Sequence, residues 1–193
     1  MTKELTLILG GARSGKSALA QRLATASGGR VLFIATAEAG DDEMRQRIAH
    51  HRASRPADWT TLEEPRDLPV RLRRTGADYD ITIVDCLGLW VSNLLGDGDP
   101  SAADAEAAIL EATSRLLAAY EAASASLILV SQEVGLGLAP PYPLGRAFRD
   151  ILGRVNQRLA DRADRVYLTV SGLALELKSL GAAPVAGDDG VSP

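Results

Sequence analysis

The sequence has little cysteine, no long apolar run and little net charge, and each shortage excludes a class of protein. Its single cysteine, Cys86, cannot form an intramolecular disulfide, which is typical of a reducing compartment. No apolar run approaches the ~20 residues that a helix needs to cross a bilayer, so we expect no membrane span. Because the first predicted strand begins at Leu5, we expect no signal peptide and a cytoplasmic location.

The net charge and the composition further restrict the kind of protein this is. A net charge of −4 over 193 residues argues against a broad nucleic-acid-binding surface, so we expect no nucleic-acid partner. The composition, 46% hydrophobic and 24% charged, is that of an ordinary globular protein, and the length predicts one domain over residues 1–178. Residues 179–193 are small, polar and proline-bearing, which predicts a disordered tail.

The strongest motif is a phosphate-binding loop near the N-terminus. Residues 10–17 read GGARSGKS, which satisfies the spacing G-x-x-x-x-G-K-[ST]. A predicted strand precedes this motif, and apolar residues at helical spacing follow it over residues 17–24. Loop amides and a helix N-terminus together form an anion site. We therefore expect Lys16 to contact the β- and γ-phosphates of a nucleotide and the Ser17 hydroxyl to bind Mg²⁺.

Five apolar, β-prone segments alternate with helical segments along the chain. This alternation predicts an α/β fold with a mostly parallel sheet flanked by helices on both sides. The predicted strands are Leu5–Leu9, Val31–Thr36, Asp80–Asp85, Ser126–Ser131 and Arg165–Val170, with residues 174–178 as a further candidate. The predicted helices after the first one span residues 44–53, 102–123 and 144–163.

Asp85 closes an apolar strand, YDITIVD over residues 79–85. A strand that ends in an acid, downstream of a phosphate loop, is the pattern of a Mg²⁺-binding aspartate. We expect Asp85 to hold Mg²⁺ directly or through water. The alternative is that this aspartate only caps the strand.

Both histidines of the chain are adjacent, His50 and His51, near the end of the predicted helix over residues 44–53. Four arginines accompany them in sequence, at positions 45, 47, 52 and 55. Neighbouring cations favour the neutral imidazole, which can attack phosphorus, and stabilise negative charge on a pentacoordinate phosphoryl centre. The pattern makes a catalytic histidine a candidate, and the alternative is a histidine that only contacts nucleotide or caps the helix.

Two polar segments can be interpreted either as functional sites or as ordinary surface. Residues 132–137, QEVGLG, follow a predicted strand at the sheet edge where ligands bind in open α/β folds, but such a segment is equally an ordinary loop. The helix predicted over residues 144–163 carries a dense polar series that is either solvated or a substrate or subunit surface.

Taken together, these stretches resemble a known family, the bifunctional adenosylcobinamide kinase / adenosylcobinamide-phosphate guanylyltransferases of cobalamin biosynthesis (CobU/CobP). The resemblance covers nearly the whole chain except the tail. The matching stretches are GGARSGKS at 10–17, FIATA at 33–37, DDEMRQRIAHHRASRP at 41–56, SQEVGLG at 131–137, FRDILGRVNQRLADRAD at 148–164 and VYLTVSG at 166–172.

The resemblance implies a single-domain, RecA-like P-loop fold and a homotrimer with sites near subunit interfaces. It also implies two reactions. In the first, ATP or GTP phosphorylates the aminopropanol hydroxyl of adenosylcobinamide. In the second, GMP from GTP is transferred through a guanylylated histidine to adenosylcobinamide phosphate, giving adenosylcobinamide-GDP.

The resemblance also implies which residues carry this chemistry. The guanylylated histidine aligns with His51. The implied nucleotide-binding residues are Gly10, Gly11, Ala12, Arg13, Ser14, Gly15, Lys16, Ser17, Ala35, Thr36, Ala37, Arg52, Ala53, Ser54, Arg55, Glu63 and Asp85. Two other interpretations stay open from the residues alone: a kinase whose histidines only bind nucleotide, and a RecA-like NTP-dependent switch that binds a macromolecular partner.

Overall fold

The computed structural model describes residues 2–38, 45, 52, 55–75, 78–96 and 103–185 of the chain. Within them lies a seven-stranded sheet in the spatial order β3-β2-β4-β5-β1-β6-β7. All neighbouring strands are parallel except β6 and β7. The strands are β1 (Leu5–Gly10), β2 (Val31–Ala35), β3 (Thr60–Glu63), β4 (Ile81–Asp85), β5 (Ser126–Val130), β6 (Arg165–Val170) and β7 (Leu173–Glu176).

Helices connect these strands and cover both faces of the sheet. They are α1 (Lys16–Ser27), α2 (Leu68–Thr75), α3 (Leu87–Leu95), α4 (Ala103–Ala122) and α5 (Pro143–Arg162), followed by a 3-10 turn at Lys178–Leu180. In the ranges that the structure describes, none of the helices has the length and apolar character needed to span a membrane.

The strands divide their side chains between two hydrophobic cores. In β2, Leu32 and Ile34 point into a core formed with α2, α3, α4 and α5, whereas Val31 and Phe33 point into a second core formed with α1. Strands buried on both faces read as continuous apolar runs in sequence. This burial explains why the central strands could be located from the sequence.

The predicted α/β fold and all five predicted strands are confirmed, each strand to within one residue at either end. The further candidate at residues 174–178 corresponds to β7, which pairs antiparallel with β6. The helices expected over residues 102–123 and 144–163 correspond to α4 and α5. The predicted helix over residues 44–53 lies outside the described residues apart from Arg45 and Arg52.

Strand β3 and helices α2 and α3 were not predicted from the sequence. Strand β3 is four residues of mixed polarity at the sheet edge, so it shows neither an apolar run nor a clear alternation. Helix α2 carries Pro69 in its first turn, which reads as a chain break. Helix α3, LGLWVSNLL, is apolar on most sides and lacks the periodicity of an amphipathic helix.

The predicted tail begins inside the described part of the chain. Ser179 and Leu180 belong to the 3-10 turn, where the Ser179 hydroxyl donates a hydrogen bond to the Glu176 carbonyl at 2.9 Å. The Ala182 amide donates to the Leu177 carbonyl at 3.0 Å. Residues 186–193 lie outside the described residues, and the domain boundary at residue 178 stays a prediction.

The strand order brings the phosphate-loop motif and Asp85 to one edge of the sheet. Strand β5 lies between β1 and β4, and all three run parallel. The carboxyl ends of parallel strands meet at the same edge, which is where ligands bind in open α/β sheets. The segments that follow Gly10, Ala35, Asp85 and Val130 therefore share this edge.

Thr82 in β4 allows a test of the core. Its side chain is fully buried, and its hydroxyl has no hydrogen-bond partner among the described residues. Thr82→Val keeps the shape and removes the orphan hydroxyl, so we expect the free energy of unfolding, measured in urea, to rise by about 1 kcal/mol.

The matched control is Thr113→Val in α4. Thr113 is equally buried, but its hydroxyl donates to the Ile109 carbonyl at 2.9 Å. This change should lower stability, because it removes a satisfied hydrogen bond. Thr82→Val would contradict the expectation if it destabilised the protein as much as Thr113→Val does.

Candidate active site

The phosphate loop depends on two glycines that no other residue could replace without strain. Gly10 (φ 153°) ends β1 and Gly15 (φ 100°) immediately precedes α1, both with a backbone conformation that L side chains rarely adopt. A Cβ at Gly10 would also lie only 2.4 Å from the carbonyl oxygen of Thr169. These glycines let the chain turn from strand to helix so that the N-terminus of α1 faces the sheet edge.

Lys16, the first residue of α1, extends its side chain back along this loop. Its ammonium group donates a hydrogen bond to the Gly11 carbonyl at 2.6 Å. Burial lowers the pKa of Lys16, and the nearby Asp85 carboxylate opposes part of that effect. The Gly11, Ala12 and Arg13 residues of the loop are exposed. A polyphosphate can therefore approach both the loop and the lysine.

The end of β4 is fixed by a single buried hydroxyl. Thr36, just after β2, donates to the Cys86 carbonyl at 2.7 Å and accepts a hydrogen bond from the Cys86 amide at 2.8 Å. Asn93 of α3 in turn donates to the Thr36 carbonyl at 2.8 Å. These bonds hold the backbone next to Asp85, whose side chain is partly exposed at the sheet edge.

Cys86 is not a nucleophile in this site. Burial, together with the neighbouring Asp85 carboxylate, raises the pKa of its thiol to about 11. The thiol is therefore protonated at neutral pH, and only the thiolate form attacks electrophiles effectively.

Arg55 brings a second cation to the same edge. Its guanidinium carbon lies 3.7 Å from the centre of the Phe33 ring, and one terminal nitrogen donates to the Thr61 hydroxyl at 3.4 Å. Its Nε is buried and has no hydrogen-bond partner among the described residues. Burial lowers the pKa of Arg55, while the carboxylates of Asp85 and Glu63 oppose this effect. An arginine stays charged under such conditions, so the group is a fixed cation close to Asp85.

The segment after β3 is tied to the end of β2. The Glu64 amide donates to the Ala35 carbonyl at 2.9 Å, and the Trp90 indole donates to the Arg66 carbonyl at 2.8 Å. Asn93 completes the link by donating to the Pro65 carbonyl at 3.1 Å. Glu63, at the end of β3, is consequently held beside the chain that carries Ala35 and Ala37.

The chemistry of the oxygen groups at this edge fits Mg²⁺. Ser17 offers a hydroxyl and Asp85 a carboxylate, and Lys16, which precedes Ser17, lies within electrostatic range of Asp85. The described residues contain no cluster of three histidine, cysteine or acidic side chains. Mg²⁺ usually takes one or two protein oxygens and completes its shell with phosphate and water. This small donor set suits a metal that arrives with a nucleotide.

The structure thus brings together most of the residues predicted from the sequence. The phosphate loop, Lys16, Asp85 and Arg55 share one edge of the sheet, and Arg52 is exposed and close enough to influence Arg55. His51, Ala53 and Ser54 lie outside the described residues.

Two predicted nucleotide contacts use their hydroxyls within the protein. Ser14 bonds to Thr169 at 2.8 Å, and Thr36 bonds to the Cys86 backbone. Their side-chain oxygens are therefore occupied. The Ser14 carbonyl and both backbone groups of Thr36 are bonded within the protein as well, because the Thr36 amide donates to the Asp85 carbonyl at 3.3 Å. Conversely, Phe33 and Thr169 support the site without having been singled out. Both lie in stretches that carry the family resemblance. However, the apolar pattern of a strand indicates only which side chains are buried, and it does not show which residues they contact across the sheet.

Comparison with known proteins agrees with this geometry. Residues 6–177 match the family described as CobU, cobinamide kinase / cobinamide phosphate guanyltransferase. The bifunctional adenosylcobalamin biosynthesis protein CobP of Pseudomonas aeruginosa is 50% identical over 173 residues, which are 89% of this chain and 96% of that protein. The proteins named CobU from Salmonella typhimurium and Escherichia coli are 44% and 42% identical over 181 residues, in each case 90% of this chain and 99% of the relative.

The match covers most of the chain, and it includes the phosphate loop, Arg55 and Asp85. The chain therefore belongs to the CobU family of cobinamide kinase / cobinamide phosphate guanyltransferases. The family resemblance inferred from the sequence is confirmed.

The ring of Phe33 predicts a measurable effect on nucleotide binding. Phe33→Leu removes the aromatic face under Arg55 and frees the guanidinium to take other orientations. A cation–π contact of ordinary strength implies a loss of GTP affinity of roughly threefold to thirtyfold. Isothermal titration of the purified variant with GTP measures it.

Phe148→Leu is the matched control, since Phe148 is the other phenylalanine of the chain and packs in α5 against the first core. Its replacement should lower stability and leave GTP affinity unchanged. A folded Phe33→Leu variant with wild-type affinity would show that the ring does not position Arg55.

Proposed function

We propose that this member of the CobU family phosphorylates the aminopropanol hydroxyl of adenosylcobinamide with ATP or GTP and then transfers GMP from GTP to the new phosphate through His51. The observation that carries the proposal is the convergence of the phosphate loop, Lys16, Asp85 and Arg55 on one edge of the sheet. Three cationic or amide-lined elements next to one carboxylate suit a nucleoside triphosphate with its metal.

In the kinase step, the substrate hydroxyl oxygen attacks the γ-phosphorus. The bond between this phosphorus and the β-γ bridging oxygen breaks, and the nucleoside diphosphate leaves with the bonding electrons. The hydroxyl proton is released in the same step. The loop amides and Lys16 hold the triphosphate and stabilise the charge that moves onto the leaving group, since positioning and electrostatics dominate phosphoryl transfer.

In the guanylyl step, a neutral imidazole nitrogen of His51 attacks the α-phosphorus of GTP. A nitrogen–phosphorus bond forms, the bond to the bridging oxygen breaks, and pyrophosphate departs. A phosphate oxygen of adenosylcobinamide phosphate then attacks the same phosphorus and displaces the imidazole, which is regenerated. Arg55 and Arg52 are the described cations that suit the charge developing on this phosphorus.

Ser17 and Asp85 would hold Mg²⁺ together with the nucleotide phosphates. When bound, the metal would neutralise phosphate charge and make pyrophosphate or the nucleoside diphosphate a better leaving group. The contribution of this chain is to place one hydroxyl and one carboxylate beside the phosphate loop, with Lys16 close to the carboxylate.

The assembly and location follow the family resemblance. We propose a homotrimer with sites near subunit interfaces, working in the cytoplasm and without a nucleic-acid partner. The single buried cysteine and the net charge of −4 support the location and the absence of a nucleic-acid surface.

The decisive test follows the α-phosphate of GTP. We expect GTP and Mg²⁺, without cobinamide, to place one GMP on His51 and release pyrophosphate. The adduct should be labile in acid and comparatively stable in base, as a phosphoramidate is. His51→Ala should lose the label while it keeps the kinase activity, because the kinase step needs no histidine nucleophile.

His50→Ala is the matched control and should retain labelling. Peptide mapping under non-acidic conditions locates the adduct. Label on His50 would move the nucleophile to the neighbouring residue. A wild-type protein that phosphorylates adenosylcobinamide but never carries label would show that the enzyme is a kinase only.

Asp85→Asn tests the metal site. The change is nearly isosteric but removes the negative charge that a hard cation prefers, so half-maximal activity should need about tenfold more Mg²⁺ in both reactions. Titrating Mg²⁺ at saturating GTP measures this shift. Asp80→Asn, just before the start of the same strand and bonded to the Arg30 amide at 2.7 Å, is the control and should leave the Mg²⁺ requirement unchanged. Equal requirements in both variants would mean that Asp85 only caps the strand.

A further inference from the structure

Ser14 and Gly10 are the two buried residues of the phosphate loop. Gly11, Ala12 and Arg13 between them are exposed, whereas Ser14 retains 6% of its accessible surface. It occupies a position that the motif leaves free, so the motif gives no reason for its hydroxyl. Its contacts must therefore explain its burial.

The contact of Ser14 is Thr169 of β6, and the direction of the hydrogen bonds can be assigned. The Ser14 and Thr169 hydroxyl oxygens are 2.8 Å apart, and the Thr169 hydroxyl lies 3.0 Å from the Leu9 carbonyl. A carbonyl oxygen only accepts, so Thr169 donates to Leu9 and must accept from Ser14. The resulting chain of two bonds links the loop to β1 through Thr169.

The hairpin between β6 and β7 holds Ser14 a second time. The Gly172 amide, in the turn after β6, donates to the Ser14 carbonyl at 3.0 Å. A Cβ at Gly15 would lie 3.4 Å from the Cα of Gly172, so the turn packs directly beside the loop. Ser14 is thus fixed through its side chain and its carbonyl, immediately before Gly15 and Lys16.

We propose that Thr169 is a positioning residue for both transfer reactions, acting through Ser14 to fix the loop amides and Lys16 around the triphosphate. The inference rests on the proposed nucleotide chemistry of this loop. Thr169 retains 2% of its accessible surface. It also lies against Gly10, the first residue of the loop, so closely that a Cβ at Gly10 would have no room beside the Thr169 carbonyl. It contacts the loop rather than the reacting atoms. Preorganised amides stabilise charge without rearranging during the reaction.

Thr169→Val keeps the branched shape that suits a strand and removes the hydroxyl. We expect GTP affinity to fall about tenfold, since both bonds of the chain are lost and the Ser14 hydroxyl is left without a partner. Thr169→Ser retains a hydroxyl and should bind GTP as the wild type does. Ser14→Ala, which leaves Thr169 in place, should weaken GTP binding in the same direction.

The double variant Ser14→Ala/Thr169→Val should bind GTP no more weakly than Thr169→Val alone, because the two residues act through one contact. Thr113→Val is the control for losing a buried threonine hydrogen bond elsewhere, and it should lower stability without changing GTP affinity. Both the dissociation constant for GTP and the free energy of unfolding are measured for every variant.

Weaker GTP binding by Thr169→Val and Ser14→Ala, with rescue by Thr169→Ser, would support the positioning role. Variants that lose stability but bind GTP as tightly as the wild type would overturn it. If Thr169→Val does not fold, Ser14→Ala decides alone, because unchanged affinity there excludes the role. A wild-type protein that does not bind GTP would instead overturn the proposed function.

Discussion

The site depends on the close approach of two backbones at the end of β1. Gly10 lies beside Thr169 in the β1–β6 register, and a side chain at position 10 would collide with the Thr169 carbonyl and hydroxyl. Because the two strands approach so closely, β6 can reach past β1 to Ser14 and the turn after β6 can reach the same residue. The conformation of the phosphate loop is therefore determined by a strand some 155 residues away in sequence.

The second constraint is electrostatic. The chain carries a net charge of −4, yet this edge of the sheet places Lys16 and Arg55 near Asp85, with Arg52 close to Arg55. Burial makes the charged forms of Lys16 and Arg55 less favourable, and the Asp85 carboxylate compensates for part of that cost. A triphosphate that entered here would meet cations already desolvated by the protein. Such cations interact with phosphate more strongly than cations in water do.

The sequence predicted most of the fold because the central strands are buried on both faces, and continuous apolar runs such as Val31–Ala35 leave little doubt. It also predicted the phosphate loop and Asp85, whose residue types and spacing follow from the chemistry of phosphate and metal. It could not predict β3, which is a short edge strand, or the contacts of Phe33 and Thr169. Phenylalanine and threonine are both common in strands. Only the three-dimensional contacts show that Phe33 supports Arg55 and that Thr169 supports Ser14.

The phosphate loop and Arg55 are held in place by different contacts, and this difference suits a site with two reactions. The phosphate loop is held by β1 and β6 inside the sheet, through buried bonds among Leu9, Ser14 and Thr169. Arg55 precedes the edge strand β3 and, in the described residues, is held by the face of Phe33 and one long hydrogen bond to Thr61. In the proposed mechanism both reactions need the same neutralised triphosphate, but attack occurs at the γ-phosphorus in one and at the α-phosphorus in the other. In the proposed chemistry a rigid loop serves the shared requirement for a held triphosphate, while Arg55, held separately on the face of Phe33, supplies a permanent positive charge beside it.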